Sequence, residues 1–245
     1  LRAREAELLA ARQIQQFFLP RTAPAVPGFD LAGASYAAEF TAGDHFDYFP
    51  MIGGTLGVVI GDVSGHGFGP ALLMVALRNH LRALADHHDQ IEEVLSDANR
   101  LLSAEMEDGY FITLLMGRLD ARQRTFRYVN AGHPSGYLLD AAGQVKAFLE
   151  SVCPPLGILP ETRFPAEQSV TMEPGDLLLL VTDGILETHG ADGTQFGEER
   201  MLETVRASRH RPACEIIEDL YHAALRFSES GKILDDVTAV VLKAI

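Results

Sequence analysis

Residues 111–149 read FITLLMGRLDARQRTFRYVNAGHPSGYLLDAAGQVKAFL, and their spacing decides the architecture. Four short β-rich or apolar runs, 111–119, 124–130, 136–140 and 145–149, follow one another with four or five turn residues in each gap. Such gaps suit hairpins, whereas a parallel crossover takes a dozen residues or more. Working outward, the same pattern predicts strands at 29–38, 46–52, 55–61, 168–172, 177–182 and 237–243. Two helix pairs interrupt the strands. In the first pair, one helix starts at Pro70 with Leu73, Leu77, Leu81 and Leu84 on one face. The other opens with the capping-box-like Asp89-Gln90-Ile91-Glu92 and carries Ile91, Val94, Leu95, Ala98, Leu101 and Leu102 on one stripe. The second pair covers 198–207 and 213–227, the latter following Pro212 and burying Ile216, Leu220 and Phe227. Helices grouped in pairs, not alternating with strands, argue against a Rossmann fold or barrel. They predict an α+β fold of antiparallel sheets with helices on the outer faces.

The net charge of −14, without a Lys/Arg cluster, argues against nucleic acid or an anionic membrane surface as partner. The longest strongly apolar stretch, Leu177 to Val181, is far too short to span a bilayer, so no membrane insertion is expected. The start, Leu1-Arg2-Ala3-Arg4-Glu5, lacks the apolar segment of a signal peptide, and Cys153 and Cys214 form no CxxC. These features predict a cytoplasmic protein. Residues 1–18 read as a helix with Leu8, Leu9, Ile14, Phe17 and Phe18 apolar, ended by Pro20, Pro24 and Pro27-Gly28. Leu1, Leu8 and Ala11 could begin a heptad seam; the alternative is a helix packed on its own domain. The expected organisation is a helical leader over 1–20 and one catalytic domain over 21–245. The first residue is not methionine, and the leader is expected to continue from an upstream sensor or receiver domain and to support a homodimer.

Four aspartates sit beside a glycine or a second aspartate where apolar runs begin or end. They are Asp44 in Ala42-Gly43-Asp44, Asp62 in Val59-Ile60-Gly61-Asp62-Val63, Asp183 in Val181-Thr182-Asp183-Gly184, and Asp236 in Leu234-Asp235-Asp236-Val237. Converging carboxylates repel, by roughly 4 kcal/mol for two charges about 4 Å apart at an effective dielectric near 20. Protons or cations must neutralise such a cluster, and oxygen-only ligands favour Mg²⁺, Mn²⁺ or Ca²⁺ over zinc.

Gly61-Asp62-Val63-Ser64-Gly65-His66-Gly67-Phe68-Gly69-Pro70 joins a strand to a helix and reads either as a flexible turn or as a loop that approaches a ligand. Neither a P-loop nor a GxSxG elbow is present, so Ser64 reads as a turn residue. His133, in Asn130-Ala131-Gly132-His133-Pro134, reads as structural; His45 and His66 lie nearer the aspartates.

Taken in order, Ala42-Gly43-Asp44-His45-Phe46-Asp47, Gly61-Asp62-Val63-Ser64-Gly65-His66-Gly67, Asn130-Ala131-Gly132-His133, Pro155-Leu156-Gly157, Thr182-Asp183-Gly184 and Asp235-Asp236-Val237-Thr238 resemble the SpoIIE/RsbU branch of the metal-dependent PPM serine/threonine phosphatases. The resemblance runs from about residue 11 to the C-terminus. Each motif is weak alone, and the six in order carry it.

The resemblance implies an αββα sandwich and two Mn²⁺ or Mg²⁺ ions. Asp62 would bridge them, with the Val63 carbonyl adding an oxygen. Asp183 and Asp236 would complete one shell, and Asp44 would hold the other ion directly or through water. Asp47 matches a second acid of the branch's motif, His66 is the nearest candidate for a general acid, and Asp235 is expected to be the weaker half of its pair. Ala42 stands where the branch commonly has glycine, which alters backbone freedom and not ligation. The implied activity is hydrolysis of phosphoserine or phosphothreonine on a signalling partner such as an anti-sigma-factor antagonist. A catalytically inactive PPM-like binding module is the alternative, but such a module should have lost one of Asp62, Asp183 or Asp236. Nucleotidyl transfer or cyclase chemistry would need triphosphate-binding basic residues, and none is visible near the motifs.

Overall fold

The computed structural model describes residues 10, 12–38, 41–65, 67–106, 109–229 and 231–245. Among the described residues ten strands form two five-stranded antiparallel sheets. One has the order β1 (Phe29–Tyr36), β10 (Val237–Ala244), β9 (Leu177–Val181), β6 (Gly136–Leu139), β7 (Val145–Leu149). The other runs β2 (Asp44–Met51), β3 (Thr55–Val63), β4 (Ile112–Asp120), β5 (Thr125–Ala131), β8 (Gln168–Thr171). Helices α1 (Phe68–Ala85) and α2 (Ile91–Glu105) cover the second sheet; α4 (Gly197–Ser208) and α5 (Ala213–Phe227) cover the first. A short helix α3 (Asp183–Leu186) leaves the end of β9.

Successive strand side chains face opposite sides, so a central strand covered on both sides must be apolar at nearly every position. In β3, Val58 and Ile60 point into the core between the sheets with Phe46, Leu115, Phe126, Leu180 and Val240, while Val59 points outward to α1 and α2. Leu77, Leu81, Leu95 and Leu102 meet it there with almost no exposure. Each fully buried aliphatic side chain of this kind contributes about 1.5–3 kcal/mol. The three hydrophobic layers produce the four-layer αββα sandwich that the resemblance implies, with the antiparallel sheets and outer helices expected from the spacing.

Several boundaries differ from the sequence reading. β2 begins at Asp44 instead of 46, and β3 runs to Val63 instead of 61, so Asp44 and Asp62 lie within strands and pair directly across the ladder. The helix expected from Pro70 begins at Phe68. The expected capping box at Asp89 does not form: Gln90 occupies the N-cap without a side-chain bond, and Asp89 instead accepts from Arg118 through its carbonyl (3.0 Å) and carboxylate (3.2 Å). Leu101, placed on the buried stripe, is exposed. In the leader, residues 10 and 12–16 are helical, whereas the expected helix over 1–9 and at 11, with the heptad positions Leu1, Leu8 and Ala11, lies outside the described residues. No described helix is long and apolar enough to cross a membrane.

Candidate metal centre

At one end of the core between the sheets, the inward-facing positions change from apolar to polar. One step along the same face from Phe46 stands Asp44, from Ile60 Asp62, from Leu115 Thr113, from Leu180 Thr182, and from Val240 Thr238. Because neighbouring strands are antiparallel, these positions meet as a polar collar at the mouth of the sandwich. Thr182 Oγ1 donates to Asp44 Oδ2 at 2.7 Å and accepts the Thr238 N–H at 2.9 Å. Thr238 Oγ1 donates to Ser35 Oγ at 2.9 Å. On the far side, Thr113 is 3.0 Å from His133 Nδ1. Sequence reading missed Thr182, Thr238 and Thr113, since threonine in a strand is ordinary β chemistry.

Asp44 is only 3% exposed and forms the floor of the centre. Burial, and then the charge of Asp62, raise its carboxyl well above the usual range against the pull of the Thr182 bond. Asp62 is pushed up to about 7, first by burial and then by Asp183, Asp235 and Asp236. Burial followed by Asp235 raises Asp183, and burial raises Asp236. No ion pair among the described residues engages any of these carboxylates. Asp62, Asp235 and Asp236 line a cleft of about 340 Å³ whose walls also include Thr41, Gly65 and Leu234.

Asp235 and Asp236 occupy different environments. Asp236 Oδ1 accepts the Ala38 N–H at 2.9 Å, and its Oδ2 accepts the Gly43 N–H at 2.8 Å. Both oxygens thus brace backbone. Asp235 lines the cleft beside Asp236 and also an adjoining recess of about 370 Å³ beside Gly184 and Glu187. Its Oδ1 accepts the Asp236 N–H at 2.8 Å, and its charge bears on Asp62 and Asp183. These contacts leave Asp235 with the freer carboxylate, whereas the sequence expectation ranks Asp236 as the ligand and Asp235 as the weaker half. Glycine is required on either side of the pair. A Cβ at Gly184 would stand 2.0 Å from the Asp236 carbonyl oxygen, and one at Gly43 would stand 3.0 Å from the Val63 carbonyl and 3.1 Å from Asp62 Oδ1.

The remaining expected site residues divide by strand parity. His45 and Asp47 are on the outer face of β2, away from Asp44. Asp47 takes a two-point bond from Arg82 (2.6 Å to each oxygen) and an ion pair from Arg78 at 3.3 Å, so its described partners hold helix α1 rather than the centre. His45 is buried on that face, with its imidazole held down to about 4 by burial. His133 is buried behind Thr113, its imidazole held down to about 3 by burial. His66 lies outside the described residues. The Val63 carbonyl borders the Gly43 turn next to Asp62.

The donor set is all oxygen and rich in uncompensated carboxylate, which suits Mg²⁺ or Mn²⁺. Among the described residues no group of three or more acidic, histidine or cysteine side chains is placed to hold an ion by itself. An ion here would complete its shell with water or substrate oxygens, as Mg²⁺ commonly does.

The family model described as Stage II sporulation protein E (SpoIIE) matches residues 52–245. Protein IcfG of Synechocystis sp. is 27% identical over 96% of this chain, which spans 41% of that relative's length. Phosphoserine phosphatase RsbU of Bacillus subtilis is 25% identical over 98% of this chain and 70% of its own. Among solved structures, the SiaA-PP2C domain of Pseudomonas aeruginosa superimposes with a TM-score of 0.84 over 100% of this chain and 97% of its own, at 20% identity. With the αββα layers and the six ordered motifs, these matches identify the chain as a member of the SpoIIE family of PPM-type phosphatases.

Proposed function

We propose that the domain hydrolyses phosphoserine or phosphothreonine on a partner protein, using two Mn²⁺ or Mg²⁺ ions held at the mouth of the sandwich. The observation that carries this reading is the set of carboxylates around Asp62 that share one cleft without a described cation partner. In this reading Asp62, Asp183 and Asp235 would hold one ion, and Asp44 with Asp62 would hold the other. Asp236 is assigned a bracing role. Bound ions of this kind act as Lewis acids toward phosphoryl oxygens and lower the pKa of water toward neutrality.

The chain's own part is positioning. Rigid strands β2 and β3 fix Asp44 and Asp62 opposite each other, and the Thr182 hydroxyl fixes the rotation of the Asp44 carboxylate. A phosphate approaching these acids without cations would be repelled, so the cleft selects a substrate only when charge-neutralised. The exposed Leu234 on its wall leaves that side accessible to a phosphorylated segment still attached to a folded protein. The name of the Bacillus subtilis relative supports phosphoserine as the leaving group's source. An anti-sigma-factor antagonist is the partner class implied by the family.

The test is hydrolysis of a phosphoserine peptide and of p-nitrophenyl phosphate with and without EDTA, followed by Mn²⁺ or Mg²⁺ add-back. Turnover should vanish with EDTA and return with metal. Turnover indifferent to EDTA would sink the metal mechanism, and none under any metal would leave the non-catalytic binding module as the reading.

A further inference from the structure

We infer that Gln15 is a positioning residue for this centre: its side-chain amide fixes the turn that carries Asp44 and braces Asp236. Gln15 Nε2 donates to the Ala42 carbonyl at 2.6 Å, and the Ala42 N–H donates to Gln15 Oε1 at 3.0 Å. The orientation of the amide is settled by its partners, because a backbone N–H can only donate and a carbonyl can only accept. One bond would let the peptide swivel; two fix both its position and its tilt.

From Ala42 the constraint passes along the chain without a gap. The next residue, Gly43, donates its N–H to Asp236 Oδ2 at 2.8 Å and accepts from the Val63 N–H at 3.3 Å. The one after, Asp44, is held by Thr182. There is little slack in this turn, since even a Cβ at Gly43 would press on Asp62 Oδ1 and the Val63 carbonyl. Moving Ala42 therefore moves three of the oxygen-bearing groups at the mouth together. The bonds within this turn otherwise come from inside the sandwich, whereas Gln15 reaches it from the leader, 27 residues away in sequence. The leader segment itself rests on few contacts. Leu19 packs against the core between the sheets, the Arg78 guanidinium lies 5.7 Å from the Phe18 ring, and Ile14 and Phe17 are exposed. A recess of about 200 Å³ lined by Arg12, Gln16, Tyr36 and Tyr221 lies between part of the leader and the domain, and the Gln15 amide is a polar tie across it.

The inference rests on the metal-centre reading proposed above. The experiment compares the wild type with Gln15→Met, which keeps the length of the side chain and removes both bonds, and with Gln15→Ala, a strong helix former that guards against a folding failure. Gln16→Met is the control on the same segment. Mn²⁺ binding is measured by calorimetry without substrate, amide hydrogen exchange is followed over residues 41–44, and thermal melting is recorded in EDTA. Both Gln15 variants should bind Mn²⁺ about tenfold more weakly, the size usual for losing a group that orients a ligand. They should exchange faster over 41–44 and melt within a few degrees of the wild type, while Gln16→Met matches the wild type throughout. Mn²⁺ affinity within about twofold of the wild type, or unchanged exchange over 41–44, would overturn the positioning role. Failure of the wild type itself to bind Mn²⁺ would instead overturn the metal-centre reading and this inference with it, a result visible before any variant is made.

Discussion

Asp235 and Asp236 both line the cleft, but Asp236 uses both oxygens to accept backbone N–H groups and Asp235 only one, so neutralising each should have separable consequences. Asp235→Asn should weaken Mn²⁺ binding by tenfold or more, with stability unchanged or slightly raised as repulsion with Asp62 and Asp183 is relieved. Asp236→Asn turns an amide NH₂ toward one of two backbone donors, and should cost about 1–3 kcal/mol of stability. Calorimetry beside urea titration in EDTA distinguishes the two; equal metal affinity for Asp235→Asn and wild type would return the ligand role to Asp236. The sequence made the aspartates legible through their place at the ends of apolar runs. It could not tell Asp235 from Asp236, because adjacent side chains point to opposite sides and the turn before β10 has no periodicity to say which faces inward. A pH prediction belongs to His133. Burial holds its folded pKa near 3, whereas an unfolded imidazole titrates near 6.5. As pH falls below about 6.5 the unfolded chain takes up the proton first, so stability present at neutral pH is lost progressively down to the folded value, by about 1.4 kcal/mol per pH unit. His45, held near 4, adds in the same direction, while the raised carboxyls act in the opposite one. The informative quantity is therefore the difference from His133→Asn: its stability should fall less steeply between pH 6.5 and 4 by about one proton in urea titrations. Parallel slopes would show that His133 is protonated in the folded state.

Helix α1 is tied to β2 by more than apolar contact. Arg82 grips both oxygens of Asp47 and also donates to the Tyr48 carbonyl at 3.0 Å, so one side chain fixes the helix against the strand that begins at Asp44. Arg82 is over a third exposed but Asp47 is only 2% exposed, and removing the cation leaves a buried carboxylate with Arg78 alone. Arg82→Met should destabilise the fold by about 1–3 kcal/mol, below the full penalty for a wholly buried pair because Arg78 and solvent remain. A change under about 0.5 kcal/mol in urea titration would mean the tie is no stronger than an ordinary surface pair. The elements themselves were largely legible. The four-residue gaps at 120–123 and 141–144 are hairpins as their length suggests. The five-residue gap at 131–135 instead carries the chain from one sheet to the other, which length alone does not reveal. The leucine spacing marked the buried faces of α1 and α2. The errors cluster where function intrudes. Asp44, His45 and Asp62 look like loop residues, yet they continue β2 and β3, because backbone pairing at a sandwich mouth tolerates charge that an apolar pattern excludes. Asp89 looked like a cap but was drawn away by Arg118, a partner about thirty residues distant that no local rule sees.

Two sheets packed face to face leave the sandwich open at its ends, and in this molecule one open end carries the acidic centre with the leader lying beside it. That arrangement gives the leader a lever on the site that does not require contact with substrate. If its packing has two arrangements, a partner domain or a second copy of the chain could shift the balance between them, and the centre would follow. The exposed Ile14 and Phe17 give the helix an apolar face on which such a shift could act. A helix this short dimerises poorly by itself, which is why the comparison includes a fused dimeric coiled coil. The decisive comparison uses three chains at equal Mn²⁺ occupancy: residues 1–245, a version starting at Arg21, and a version with a dimeric coiled coil fused in register ahead of Leu1. The version starting at Arg21 loses both the Gln15 tie and the Leu19 packing, so it should require more metal for half-maximal turnover and melt lower in EDTA than Gln15→Met does. The coiled-coil fusion should keep the melting temperature of residues 1–245 and change turnover. Equal rates for all three would reduce the leader to a structural cap. A fall in the truncated form alone, with the fusion matching residues 1–245, would keep the positioning role of the leader while removing dimerisation from its control.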